Sequence, residues 1–290
     1  MRQLIIEKGK EKNGLIKLDG KDYRYLRQVL RVRAGDMVSV RLPDGSLKNA
    51  TVAQIDEGAR TVILQICADT GKTITRGVQA GEIAGEAESA SGAAAVEYWL
   101  FQFLPRPQKF ELIVRQATEC GIAVIVPIVG EYTEKSSAQA LMGPKKERLQ
   151  KIIREARQQS GSPVDTKVTE PVSLEKALEL WKSGEDGGFD TPASQSLNRR
   201  ESVDVAFVLS ERGDCDGNLR RVIEGAGGGG KIKRAAIAVG SEGGISPDEV
   251  RTLQEKGLFQ PIHFAVNILR CETAALYGIA AVQSMILGGV

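Results

Sequence analysis

The sequence predicts an α/β protein in two parts, a small N-terminal β-barrel and a larger C-terminal α/β domain built on a mainly parallel sheet. Three observations predict this. Up to residue 67, short alternating runs recur with turn signals between them, the pattern of a small barrel. From residue 98 onward, apolar strand-like runs alternate with stretches of helical spacing, as in strand–helix–strand units. Between the two, residues 70–96 are rich in Gly, Ala, Ser and Glu without periodicity, which reads as a linker or insertion. The expected division is residues 1–70, a linker over 71–96, and a second domain over 97–290.

Taken in order, Gln3-Leu4-Ile5-Ile6 and residues 15–18 read as strands, and residues 22–30 as a short helix. Residues 37–41 and 47–55 alternate around Pro43-Asp44-Gly45, where Pro presets one dihedral and Gly accepts positive φ, so a hairpin is expected. Residues 61–67 close the set. The second domain opens on the apolar run 98–103, followed by Phe110, Ile113, Val114 and Ala117 at helical spacing before Gly121. Residues 123–129 form the next strand. Residues 145–160 form a charged helix with Leu149, Ile152, Ile153 and Ala156 on one face. Residues 184–202 read as a polar loop and 203–209 as a buried strand ending at Ser210-Glu211-Arg212-Gly213.

The glycine run 225–230, with Lys231 after it, imitates both a dinucleotide fingerprint and a P-loop. It follows a helical stretch and precedes a strand, the reverse of the strand–loop–helix order both motifs need, and Ile232 stands where a P-loop needs Ser or Thr. It reads as a helix-terminating loop. A true strand–loop–helix unit comes next. The run 235–239 feeds Gly240-Ser241-Glu242-Gly243-Gly244, and Ser246, Pro247 and Glu249 then give an N-cap, a first-turn proline and a capping box. Gly257 is the expected C-terminal stop. A loop of this kind exposes backbone N–H groups to a small polar ligand. Last comes a strand end near Phe264, a turn carrying Arg270, Glu272 and Thr273, and a long apolar helix to about Leu287.

Composition limits what such a chain does. With 290 residues, 42% apolar and 26% charged, it is able to bury two cores. No apolar run approaches the roughly 20 residues needed to span a bilayer, and no signal-peptide core opens the chain, so a cytoplasmic protein without membrane contact is expected. Cys67, Cys120, Cys215 and Cys271 lack metal spacing and His263 is the only histidine, so neither a metal site nor a His-dependent triad is expected. The net charge of +2 is unevenly placed: residues 1–66 hold 13 Lys and Arg against 8 Asp and Glu, leaving 26 of the 39 basic and 29 of the 37 acidic residues elsewhere. A basic N-terminal part suits a polyanion, although solvated surface charge reads equally well. Arg24, Arg27, Arg31 and Arg33 beside Tyr23 and Tyr25 suit phosphate pairing with base or sugar stacking.

Two segments carry a family resemblance when taken together: Gly240-Ser241-Glu242-Gly243-Gly244-Ile245-Ser246 and Ile268-Leu269-Arg270-Cys271-Glu272-Thr273-Ala274. The pair resembles the SPOUT superfamily of RNA methyltransferases, and more closely the family that methylates N3 of one uridine in small-subunit (16S) ribosomal RNA. That family carries Gly-Pro-Glu-Gly-Gly-Phe-Ser followed by Ile-Leu-Arg-x-Glu-Thr-Ala. The stretch from Tyr25 to Arg33 with Gly35-Asp36 resembles its N-terminal PUA-like domain, and Glu111-Leu112-Ile113-Val114, Ala117-Thr118-Glu119 and Gln159-Ser160 continue the likeness. Departures are Ser241 for Pro, Ala265 for Gly, Asn267 and Ser162 for frequent arginines, and Gln116 for a frequent lysine.

The resemblance implies a trefoil-knotted domain, a homodimer, and S-adenosylmethionine bound by Leu209, Ser210, Gly240, Ser241, Glu242, Gly243, Gly244, Phe264, Ala265, Ile268, Leu269 and Thr273. It implies RNA binding through Arg24, Tyr25, Arg27, Arg31 and Arg33, with 16S rRNA or the assembled small subunit as partner. For methyl transfer the uracil N–H must lose its proton, which spreads negative charge onto the flanking carbonyl oxygens, and the Arg270 guanidinium is suited to that anion or to the neighbouring phosphate. Glu272 or Glu242 would accept the proton if burial raised its pKa; as a first-turn carboxylate, Glu272 also has a plain helix-capping reading. Two alternatives stay open: a sister enzyme acting on transfer RNA or 23S rRNA, and a non-catalytic RNA-binding protein, which would be expected to lose the loop glycines or Arg270.

Overall fold

The computed structural model describes residues 3–67, 96–141, 144–184, 202–210, 219–226 and 231–287. The expected linker, the loop around residues 185–201, the Glu211-Arg212-Gly213 turn and residues 227–230 of the glycine run lie outside the described residues. The backbone divides into two compact units, residues 1–93 with 158–161, and the remainder.

In the first unit, β1 (Leu4–Ile5), β2 (Glu11–Lys12), β3 (Leu15–Leu18), β4 (Met37–Arg41), β5 (Leu47–Asp56) and β6 (Thr61–Ile66) form one sheet in the order β1-β4-β5-β6-β3-β2. All pairings are antiparallel except β1 with β4. Alternation sets which side chains point inward: Leu4, Ile16, Leu18, Val40, Val52, Val62 and Leu64 share a single core. Strands from both halves of the sheet meet there, as expected of a sheet rolled towards a barrel. The predicted hairpin is present, with Gly45 at φ +84 and Asp44 accepting from both the backbone and the hydroxyl of Ser46. The predicted short helix is α1 (Gly20–Arg24), running on into a π-helical turn over Tyr25–Val29 whose Leu26 is fully buried.

The second unit is a wholly parallel sheet of β7 (Glu97–Phe103), β8 (Val124–Ile128), β9 (Lys167–Val168), β10 (Ser202–Leu209), β11 (Lys231–Val239) and β12 (Gln260–Ile262), in the order β12-β10-β11-β7-β8-β9. β7 is buried from Tyr98 to Phe103, as a strand covered on both faces must be. One face carries α2 (Pro107–Glu119), α4 (Pro144–Ser160), α6 (Leu219–Ala226) and α8 (Cys271–Leu287), whose Phe110, Ile113, Ile152, Ile223, Ala275 and Ile279 share a core. The other carries α5 (Leu174–Ser183) and α7 (Pro247–Gly257) over Trp99, Phe101, Trp181 and Phe259, an aromatic cluster with ring centroids 5.3 to 6.4 Å apart. A short α3 (Lys135–Ala140) follows β8.

Three expectations are corrected. Gly257 is the last helical residue and not the stop; Leu258 takes the left-handed position at φ 57. Glycine is required at 257 for space, because a Cβ there would lie 2.7 Å from Leu178 Cδ2 and 2.8 Å from Phe259 Cδ2. The last strand ends at Ile262, before Phe264, and Glu272 and Thr273 belong to the first turn of α8 and not to the preceding turn.

Candidate active site

Because the sheet is parallel, the C-terminal ends of its strands share one edge. The chain steps outward from β7 to β8 and β9, then crosses to fill the far side with β10, β11 and β12, so strand order reverses between β7 and β11. In open α/β sheets the crevice at such a reversal is where ligands bind. Gln102 marks the boundary. Fully buried, it donates through Nε2 to the carbonyls of Phe103 at 2.9 Å, Val239 at 3.3 Å and Gly240 at 3.0 Å. Its Oε1 is buried without a partner among the described residues.

The loop after β11 is braced from within. Ser241 N–H donates to Gly244 O at 3.3 Å, Gly244 N–H to Ser241 O at 3.1 Å, and Gly243 N–H to Ser241 Oγ at 3.3 Å. The turn is so tight that a Cβ on Gly240 would lie 2.7 Å from the carbonyl carbon of Gly244, and one on Gly243 2.8 Å from Tyr132 Cβ. Behind it the predicted capping box is formed: Ser246 N–H donates to Glu249 Oε2 at 2.9 Å and Glu249 N–H to Ser246 Oγ at 3.4 Å. Glu249 Oε1 also accepts Glu131 N–H at 2.8 Å, tying the loop after β8 to this corner.

The segment after β12 is more open. Ser210 N–H donates to Ile262 O at 2.9 Å, and His263 Nδ1 lies 3.1 Å from Ser210 O. Phe264 meets Tyr277 edge-on at 5.0 Å, and Leu209 packs half-buried on the core. Ala265 and Arg270 are exposed, Ile268 is 80% exposed, and Leu269 is half-buried. The Arg270 carbonyl accepts Ala274 N–H at 2.7 Å and so opens α8; Thr273, in the first turn, is exposed. Among the described residues, the Arg270 guanidinium has no ion-pair partner.

Between the two segments stands Lys109, on the first turn of α2. Its ammonium lies 3.5 Å from Glu242 Oε1 and 3.4 Å from Glu272 Oε2. Glu242 also accepts Arg106 N–H at 3.2 Å, and the Cys271 thiol donates to Glu272 at 3.2 Å. Burial alone would raise the Glu272 pKa, but its own backbone N–H, the Cys271 thiol and Lys109 outweigh that and hold it below the usual carboxylate range. The condition under which Glu272 would serve as base, a pKa raised by burial, is therefore not met. Burial and the hydrogen bond to Glu272 push the Cys271 thiol up to about 12. Desolvation works against the Lys109 charge, yet Cys271, Glu242 and Glu272 raise its pKa. Sequence reasoning missed Lys109, because nothing local distinguishes a lysine beside the buried Phe110 from any helix-surface lysine.

Of the arginines in the first unit, Arg24, Arg31 and Arg33 are exposed. Arg27 is half-buried, donating to the Val32 carbonyl at 2.7 Å and pairing with the exposed Glu57 at 2.6 Å. Tyr25 is half-buried against the core, and Arg31 sits at φ 55. Among the described residues no group of His, Cys, Asp and Glu is placed to hold a metal ion, and no helix is long and apolar enough to cross a membrane.

A three-layer α/β domain with a glycine loop at its strand reversal and a second loop beside it defines a small-ligand-binding enzyme fold. The family model described as RNA methyltransferase domain matches residues 93–283, and the chain belongs to that family of RNA methyltransferases. The resemblance read from the Gly240 and Arg270 segments is borne out. Ribosomal RNA small subunit methyltransferase E of Aquifex aeolicus is 31% identical over 166 residues, which cover 57% of this chain and 58% of that protein. Ribosomal RNA small subunit methyltransferase E 2 of Borreliella burgdorferi is 24% identical over 287 residues, 99% of this chain and 98% of its own. The Neisseria gonorrhoeae ribosomal RNA small subunit methyltransferase E, solved with bound S-adenosyl methionine, shares the fold with a TM-score of 0.66, at 21% identity and 98% coverage of each chain.

Proposed function

We propose that this chain methylates N3 of one uridine in the 16S rRNA of the small ribosomal subunit, with S-adenosylmethionine as donor and as a homodimer. The observation that carries the reading is the meeting of the Gly240 loop and the first turn of α8 at one sheet edge, where Lys109 reaches both. The relatives' names support the small subunit as the source of the RNA.

These residues fit the cofactor on their own chemistry. Gly240 and Gly243 let the loop close on Gly244 and Tyr132, where a Cβ would clash, and exposed Ile268 with half-buried Leu209 and Leu269 offers apolar walls. Ser210, Ser241 to Gly244, Phe264, Ala265 and Thr273 complete the assignment. When bound, the cofactor supplies a methyl group on a sulfonium. N3 of the uracil loses its proton, the N3–CH3 bond forms and the S–CH3 bond breaks. Arg270, exposed and unpaired among the described residues, meets the charge that spreads onto the flanking carbonyl oxygens. Glu272 is a weak base at neutral pH and Glu242 pairs with the same Lys109 ammonium, so the proton passes to water. Arg24, Arg31 and Arg33 bind phosphates, while Arg27 is engaged by the Val32 carbonyl and Glu57 and holds the local fold.

Mass spectrometry of ribosomal nucleosides from cells with and without the protein tests this. Expected is the loss of N3-methyluridine from 16S rRNA alone; a loss from transfer RNA or 23S rRNA would assign the sister activity instead. Sedimentation at micromolar concentration should give about twice the 31.2 kDa chain mass, and a monomer would refute the dimer.

A further inference from the structure

Lys109 reaches both motif segments from a third element. Glu242 belongs to the loop after β11 and Glu272 to the first turn of α8, and both carboxylates lie within 3.5 Å of one ammonium. Among the described residues, no second cation pairs with either carboxylate. The Arg106 guanidinium is turned to Glu134 at 3.2 Å and gives Glu242 only its backbone N–H, while Cys271 gives Glu272 a neutral thiol. We propose that Lys109 is a positioning residue, its ammonium clamping the Gly240 loop to the first turn of α8 so that the cofactor walls and Arg270 are held as one unit. The inference rests on reading this edge as the S-adenosylmethionine site.

Partly exposed ion pairs contribute little to global stability, and Lys109 is no exception, with 30% of its side chain exposed. Its effect is local. Without it, two carboxylates face each other as like charges, and either the loop moves away from α8 or one of them takes up a proton. A displacement of about 1 Å at such a place is enough to weaken binding or rate severely.

The test compares the full chain with Lys109→Met, Lys109→Arg and the double variant Lys109→Met/Glu272→Gln. Three quantities are measured: melting temperature, S-adenosylmethionine affinity by calorimetry at pH 5 and pH 8, and backbone hydrogen exchange of the Gly240 loop without ligand. The expectation for Lys109→Met is a nearly unchanged melting temperature, faster loop exchange, and affinity down about tenfold at pH 8. That loss should shrink at pH 5, where protonation relieves the repulsion. Lys109→Arg should recover most of the affinity, and Glu272→Gln should restore part of what Lys109→Met loses. Unchanged loop exchange and affinity in Lys109→Met would overturn the clamp. So would a loss matched by a fall in melting temperature and rescued by neither second variant. If the unaltered chain binds no S-adenosylmethionine, the cofactor reading falls; the ligand-free exchange then still judges the clamp as a structural tie.

Discussion

The two loops that carry the family motifs leave the same edge of the same sheet, yet they are built in opposite ways. The Gly240 loop is closed by its own hydrogen bonds, pressed against Tyr132 and backed by a complete capping box. The segment from His263 to Arg270 presents an 80%-exposed Ile268 and an arginine without an ion-pair partner among the described residues, and is anchored mainly at its ends, by Ser210 and by the start of α8. A shape fixed before ligand arrives suits recognition, since no ordering cost falls on binding. A looser segment with an uncommitted charge suits contact with something that develops only during reaction. On the proposed function, the difference suits the first loop to holding the cofactor in a fixed shape and leaves Arg270, in the second, for the chemistry.

The largest effect should come from the open segment. Arg270→Ala removes the charge proposed to meet the uracil anion, and losing a group of this kind slows the chemical step by roughly 10²–10³-fold. Single-turnover methyl transfer at saturating RNA would show it, with cofactor affinity almost unchanged. Equal losses in rate and cofactor affinity would mean that Arg270 binds rather than catalyses, and the contrast between the loops would fail.

Next in size is Gly240→Ala. The added Cβ would stand 2.7 Å from the Gly244 carbonyl carbon, backbone that has no rotamer to change. Overpacking of this kind costs about 1–3 kcal/mol; the free loop relieves it by moving off its native shape, and the cost of restoring that shape should weaken S-adenosylmethionine binding by up to roughly hundredfold in calorimetry. Val266→Ala, in the open segment, should change affinity by no more than about threefold, the scale of an exposed side chain. Similar losses in both variants would erase the distinction between a braced and an unbraced loop.

A smaller effect follows from Cys271, where the open segment enters α8. Its folded pKa of about 12 lies above the ordinary 9.0, so the folded chain keeps the thiol protonated while the unfolded chain ionises. The thiol's contribution to stability is therefore complete below about pH 9 and declines as the pH rises towards 12. Denaturant melts between pH 8 and 11 should show wild-type stability falling more steeply than that of Cys271→Ala. Parallel curves would mean that the thiol is not shielded by α8 and Glu272.

Much of this was legible in the sequence because its causes are local. The Ser246-Pro247-Glu249 cap, the Pro43-Asp44-Gly45 hairpin and the buried stripe from Phe110 to Ala117 each declare themselves within a few residues. Glycine 257 was legible as a marker but not in its cause: the sequence suggests a helix stop, whereas Leu178 and Phe259, far away or on the far side of a turn, dictate the missing Cβ. Lys109 was invisible because its partners lie 133 and 163 positions further along the chain, and only the parallel sheet brings them together. Arg27 shows the converse. Its place in a cationic cluster points to RNA, while the Val32 carbonyl and a surface Glu57 carboxylate engage its guanidinium.

The smallest expected effect tests whether the braced loop borrows its firmness from the helix behind it. Helix α7 starts at the Ser246 cap and ends at Leu258, which is 73% exposed and held at φ 57. That conformation costs an L-residue about 1 kcal/mol and costs glycine nothing. Leu258→Gly removes this strain, but glycine also loosens the unfolded chain, which returns part of the gain. The net should be a stabilisation of a few tenths to about 1 kcal/mol, seen as a rise of about 1–4 °C in melting temperature for a domain of this size. Leu258→Asn should fall between the two, since asparagine tolerates the left-handed region better than leucine. Cofactor affinity should stay the same in both, because the internal hydrogen bonds of the Gly240 loop do not involve the far end of α7. Tighter binding that rises in step with melting temperature would show the opposite: the loop would then be only as firm as the helix it leads into, and its bracing would belong to α7 as a whole.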